Sequence, residues 1–213
     1  MTTPQKPKAL RGCLMLAGMA VLFLLICILV AAVLGRRTLN QFTDTQPMPL
    51  PRVEIPQAQI DEVQQRVQAF VHAVRTGEPA QPLELNANEI NALIATDENL
   101  EAFKGKLYVI LEGTQFKGQV SVPLADLGLR RFKGRYLNGL ATFSLAITNG
   151  QLQLGIQSLT VRSKPLPRVY LEKIGGLNLA QDLVSNPRAA AALRKVQDIY
   201  VRDGKLVIVP KPE

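Results

Sequence analysis

The chain has no tryptophan, one histidine and two cysteines among 213 residues. Each shortage removes a class of chemistry. Cys13 and Cys27 both fall inside one apolar N-terminal stretch. The rest of the sequence therefore holds no disulfide framework, no thiolate metal site and no thiol nucleophile. His72 stands alone, so no pair of histidines can bind zinc, and a Ser-His-Asp relay would have to use that one ring. Glycine spacings of the Walker and Rossmann kinds are missing. Asp61-Glu62 and Asp97-Glu98 are neighbours on polar helix surfaces. Solvation explains them better than two-carboxylate catalysis does. The expectation is a non-enzyme with no cofactor and no metal.

What the N-terminus does have is a run of 24 uncharged residues, 12–35. As a helix at about 1.5 Å per residue it would be roughly 36 Å long. A bilayer core is about 30 Å thick. The expectation is an uncleaved transmembrane helix. The rival is a cleaved signal peptide, whose apolar core usually runs about 7–15 residues. Lys6, Lys8 and Arg11 precede the run, and Arg36 and Arg37 follow it. This bias favours residues 1–11 in the cytoplasm and the C-terminal domain outside it, at a bacterial inner membrane. Pro47, Pro49, Pro51 and Pro56 then stiffen residues 36–56. That segment reads either as an extended spacer or as chain laid along the domain surface.

Residues 57–213 read as one α+β domain. Ile60, Val63, Val67, Phe70, Val71 and Val74 recur at helical spacing, and Gly77 can end the helix. His72 lies about 140° round that helix from Val67, on the polar side. Asn86 and Glu89 have capping-box spacing ahead of Ile90, Leu93 and Ile94. Solvation accounts for Asn91. Strands follow, with turns expected at Gly113, Asn149-Gly150 and Asp203-Gly204. After Leu152, Leu154 and Ile156 the apolar phase shifts to Leu159 and Val161. A phase shift within one strand implies a bulge. The fold expected is a curved antiparallel β-sheet of about five to seven strands packed on the amphipathic helix. Further helices near 86–103 and 168–198 should cover its ends.

Charge is segregated. Residues 36–128 carry 8 basic and 12 acidic side chains, whereas 129–173 carry 8 basic and one acidic. Arg130, Arg131, Lys133 and Arg135 crowd into six positions, and Arg162, Lys164 and Arg168 extend the patch if both connections share one end of the sheet. So charged a connection should be exposed, since burying unpaired charge is costly. Phe132 and Tyr136 are the only aromatics interleaved, too few to favour nucleic acid. Anionic lipid head groups are the better partner, with a solvated loop as the plain alternative. A second candidate surface is the apolar face of "YLNGLATFSLAIT". There Leu137, Phe143, Leu145 and Ile147 could line a hydrophobic-ligand site.

The order of elements resembles that of bacterial single-pass envelope proteins of the YpmS-like kind. The resemblance rests on "LNANEINALI", on "GRYLNGLATFSLAITNGQLQLGIQSLTVRSKPLPRVYL" and on the ending "VRDGKLVIVPK". It implies a domain similar to tubular lipid-binding folds, in which a curved sheet wraps a long helix. It brings no catalytic residues. The function expected is a membrane-anchored, non-enzymatic envelope protein that binds lipid or another hydrophobic ligand. The alternative is a structural or interaction module of an envelope complex with a filled core.

Overall fold

The computed structural model describes residues 24–29, 33, 37, 39–175, 178–185 and 187–212. The chain divides into two compact units, Met1–Phe42 and Thr43–Glu213. In the first, the described residues 24–29, 33, 37 and 39–42 are helical. Most of the apolar run 12–35 lies outside the described residues. Among the described residues no helix is long and apolar enough to cross a membrane. The expected fold is corrected on that point: what is described is an α+β chain with antiparallel sheets.

The second unit opens with helix α1 (Gln57–Thr76), closed at Gly77, whose N–H bonds Ala73 O at 3.0 Å. Strand β1 (Leu83–Asn86) runs into α2 (Ala87–Thr96). Asn86 Oδ1 accepts from the Glu89 N–H at 3.0 Å, and the Glu89 carboxylate accepts from the Asn86 N–H at 2.7 Å. The expected capping box is thus formed. A 3₁₀ turn (Glu98–Phe103) leads to the hairpin β2 (Leu107–Glu112) and β3 (Gln115–Pro123). Long strands β4 (Tyr136–Thr148) and β5 (Gln151–Val161) follow, then the two-residue β6 (Lys164–Pro165). Helices α3 (Arg168–Gly175), α4 (Gln181–Ser185) and α5 (Pro187–Leu193) precede the closing hairpin β7 (Val196–Arg202) and β8 (Lys205–Pro210).

The strands make two sheets, not the one expected. One is antiparallel in the order β2-β3-β4-β5-β6, and the other has the order β1-β8-β7. β7 runs against β4 and β3 and so joins them. A second correction concerns α1. It packs on α2, α5 and β1, while α2 is the helix against β2, and α3 and α5 lie against β5. The long helix is therefore not what the larger sheet curves around. The consequence shows in its apolar stripe: Val63 and Val74 are buried, but Val71 stays 39% exposed. Arg66 ties α1 down, donating to Glu89 Oε1 at 2.7 Å and to Glu84 O at 2.6 Å.

The local signals in the β region were sound. Asn149-Gly150 and Asp203-Gly204 form two-residue turns with φ of 53°, 72°, 50° and 71°, the left-handed pair that such hairpins need. The bulge falls where the phase shift placed it. Pairing steps from Phe143↔Ile156 to Thr142↔Ser158, leaving Gln157 as the extra residue. Leu152 and Leu154 are buried before it, and Leu159 and Val161 after it. Gly139 is required by the close approach of β5, since a Cβ there would sit 2.4 Å from Thr160 O.

Candidate functional site

Antiparallel pairing decides where the basic connections go. Leu140 pairs with Thr160, so the start of β4 and the end of β5 lie together. The β3–β4 loop and the β5–β6–α3 connection thus share one end of the larger sheet. The loop carries Arg130, Arg131, Lys133 and Arg135, and the β5–β6 turn brings Arg162 and Lys164 to the same end of the sheet. Arg168 lies farther back, because β6 returns along β5 and the Leu166 N–H bonds Leu159 O at 2.7 Å.

The β3–β4 loop folds back on itself. Leu124 N–H bonds Arg135 O at 2.8 Å, and Leu129 N–H returns to Leu124 O at 3.0 Å. Phe132 N–H bonds Leu129 O at 2.9 Å, closing the 3₁₀ turn Arg130–Phe132. Leu124 is buried beneath, while Arg130, Arg131 and Lys133 are exposed. The Arg131 guanidinium lies 4.6 Å from the Phe132 ring centroid, a cation–π contact that keeps the charge along the loop. Lys164 and Arg168 are exposed on the neighbouring connection. Among the described residues, no acid pairs with Arg130, Arg131, Lys133, Lys164 or Arg168. The loop's own acid, Asp126, is taken by Lys106 at 2.8 Å.

Arg135 and Arg162 differ from these five. Half-buried Arg135 donates from Nε to Thr43 Oγ1 at 2.7 Å. Arg162 pairs with Asp44. Both partners belong to residues 43–48, within the segment 36–56 that the sequence offered as spacer or surface chain. These residues cross the end of the sheet as a strap. Asp44 and Tyr136 exchange backbone bonds at 2.9 and 2.8 Å. The Asn138 amide donates to Asp44 Oδ2 at 3.1 Å and to Gln46 O at 2.9 Å. The Met48 N–H donates to Ser121 Oγ at 3.0 Å and to Asn138 Oδ1 at 3.2 Å. Asn138 and Ser121 are buried polar residues that composition and pattern gave no reason to select. Their signal was faint: two polar residues facing each other across β3 and β4, at Ser121↔Asn138.

The second candidate surface is largely closed. Leu137 and Phe143 are 4% and 5% exposed, and Leu145 and Ile147 are half-buried. Phe143 is filled against Phe116, ring edge to ring face at 5.6 Å between centroids. A cleft of about 900 Å³ lies instead between α1 and the end of α2, lined by Gln64, Val71, His72, Arg75 and Asp97 among others. His72 is solvent-exposed at its rim, as its helical position implied. Among the described residues no group of three metal-ligating side chains comes together.

Asn91 departs from the expectation. It is buried, not solvated. Its amide donates to Val109 O at 2.8 Å and accepts from Val109 N–H at 2.7 Å. Asn178 does similar work on β5, accepting from Leu154 N–H at 3.0 Å and donating to Leu152 O at 2.8 Å. These are sheet-closing residues and belong to the fold. No family model, curated protein or solved structure matches this chain.

Proposed function

We propose that this chain is a non-catalytic envelope protein whose second unit is an interaction module. It docks on an anionic surface through the basic end of its five-stranded sheet. The place of action in this reading is the extracytoplasmic face of a bacterial inner membrane, where lipid head groups supply the negative charge. The observation that carries the reading is the set of exposed cations Arg130, Arg131, Lys133 and Lys164, from two connections distant in sequence at one end of the sheet, with Arg168 farther along, and with no acidic partner among the described residues. Near an anionic bilayer each such cation adds about 1 kcal/mol of attraction. Salt screens it over a Debye length of about 10 Å at 0.1 M. The near-complete exclusion of Leu137 and Phe143 from solvent supports the filled-core alternative over a lipid carrier.

The test is co-sedimentation with vesicles of phosphatidylcholine, with and without phosphatidylglycerol. Changing Arg130, Arg131, Lys133, Lys164 and Arg168 together to glutamine should abolish the preference for the anionic vesicles at low salt. The thermal midpoint should hardly move. An unchanged preference would reduce the patch to a solvated surface. Arg135 is left out of this set because its bond to Thr43 makes it structural.

A further inference from the structure

Within that docking surface, the strap has put a carboxylate where an external anion would bind. We propose that Arg162 and Asn138 form an anion site occupied by the chain's own Asp44, and that a lipid-head-group phosphate replaces that carboxylate. Asp44 then acts as a built-in competitor of surface binding. This inference rests on the anionic-surface reading above.

Three observations converge. The first is geometric. Backbone bonds in both directions with Tyr136 set Asp44 at the start of β4, beside the stretch that β5 does not reach. One carboxylate oxygen accepts from Arg162 and the other from the Asn138 amide at 3.1 Å. A planar guanidinium and a carboxamide N–H are donors suited to a phosphate oxygen pair as much as to a carboxylate.

The second is conformational. Arg162 and Ser163 make up the two-residue turn between β5 and β6, with φ of 49° and 61°. That backbone region suits glycine and asparagine, and it costs an arginine free energy. A residue held there is one whose surroundings over-determine it. The turn delivers the guanidinium to the open end of the sheet.

The third is energetic. The Arg162 side chain is 56% exposed and that of Asp44 24%. An ion pair with one partner this exposed contributes little to stability, so exchanging the carboxylate for another anion costs the fold little. The amide donor stays in place when the carboxylate turns away, because Asn138 is also held by Gln46 O, Met48 N–H and Ser121 Oγ. An incoming phosphate would meet the same two donors, with Lys164 and Arg168 on the same connection.

The experiment uses the full chain and the same two kinds of vesicle. The quantity read is the ratio of binding to mixed over neutral vesicles, so that contributions from other segments divide out. Asp44→Asn should raise this ratio about fivefold, the factor that one added surface cation supplies. Arg162→Gln alone should leave the wild-type ratio as it is, and Arg162→Gln in the Asp44→Asn background should erase the gain. Asp44→Ser is the second variant, should the amide distort the strap. If both Asp44 variants unfold, the carboxylate is structural and the proposal falls. A gain that survives loss of Arg162 also overturns it, since removal of any negative charge would then suffice. No gain from Asp44→Asn, while the five-glutamine variant still loses its preference, sinks the competitor and leaves the docking surface standing. No change in either sinks both. Calorimetric titration of Asp44→Asn with inorganic phosphate separates the sources. Saturable, Arg162-dependent phosphate binding without a vesicle gain would overturn the lipid assignment. Vesicle gain without such binding assigns the site to the head group.

Discussion

The larger sheet is closed by neutral amides on one side and by charge on the other. Along β2, the buried Asn91 amide takes up both polar groups of Val109, at 2.8 and 2.7 Å. At the start of β4, the strap is fastened through an exposed ion pair, Asp44–Arg162, and through Asn138. A buried amide clamp has no water to replace it, so losing it leaves orphaned backbone groups at full desolvation cost. An exposed ion pair exchanges with solvent and salt and contributes little. The first kind of closure stabilises, whereas the second leaves a surface that can be re-partnered.

That contrast can be broken by substitution. The largest effect should come from the buried side. Phe143→Ala removes a ring packed on Phe116 and should cost about 3–5 kcal/mol in urea denaturation. Thr142→Ala, one residue along and half-buried on the opposite face, should cost well under about 1 kcal/mol. Equal losses would mean that both faces are core. Next, Asn91→Ala orphans a buried N–H and a buried C=O and should cost about 2–4 kcal/mol. A loss below about 1 kcal/mol, the net worth of one ordinary hydrogen bond, would show that water reaches Val109.

At the charged end the effects should be smaller, and one should be favourable. Ser163→Gly relieves a left-handed serine. Set against glycine's greater unfolded-state entropy, the net should be a gain of about 0.5–1 kcal/mol. A destabilised variant would mean that the serine side chain makes a contact worth more than the strain.

The smallest effect belongs to Glu84 on β1 of the three-stranded sheet. A hydrogen bond from Lys205 and its charge, with a lesser attraction to Arg202, hold its carboxyl below the ordinary glutamate range against an opposing desolvation. A carboxyl depressed in the folded state adds stability that is present above its unfolded pKa. That stability is lost as pH falls through the folded one. An NMR titration should find the Glu84 midpoint low, and Lys205→Gln should move it back up. A midpoint indifferent to Lys205 would remove the pair from the surface of the folded protein in solution.

What could be read in the sequence was local. The capping box at Asn86 and Glu89, the turns at Asn149-Gly150 and Asp203-Gly204, and the bulge at Gln157 each depend on residues a few positions apart. Pairings across the chain were not legible. Leu83 meets Ile208, and this long-range contact makes β1 the third strand of a separate sheet. A four-residue "LELN" carries too little alternation to announce that. The same holds at the site. The clustering of basic residues was visible, but Arg135 finds its partner 92 positions away and Arg162 finds its own 118 away. Asn91 looked like any polar helix residue, because what it closes is a strand edge that the helix alone does not reveal.

The strap also has a mechanical consequence. The second unit begins at Thr43, so tension applied to the chain from its N-terminal side meets residues 43–48 first. Their bonds fall at successive points, Asp44, then Gln46, then Met48. Bonds loaded one after another yield by peeling, at lower force than bonds loaded together in shear. Each released residue pays out about 3.3–3.6 Å of chain. A pull would therefore draw out at most about 20 Å of chain before the load passes beyond Met48. It would uncover Asn138 and part Arg162 from Asp44 in the same stroke.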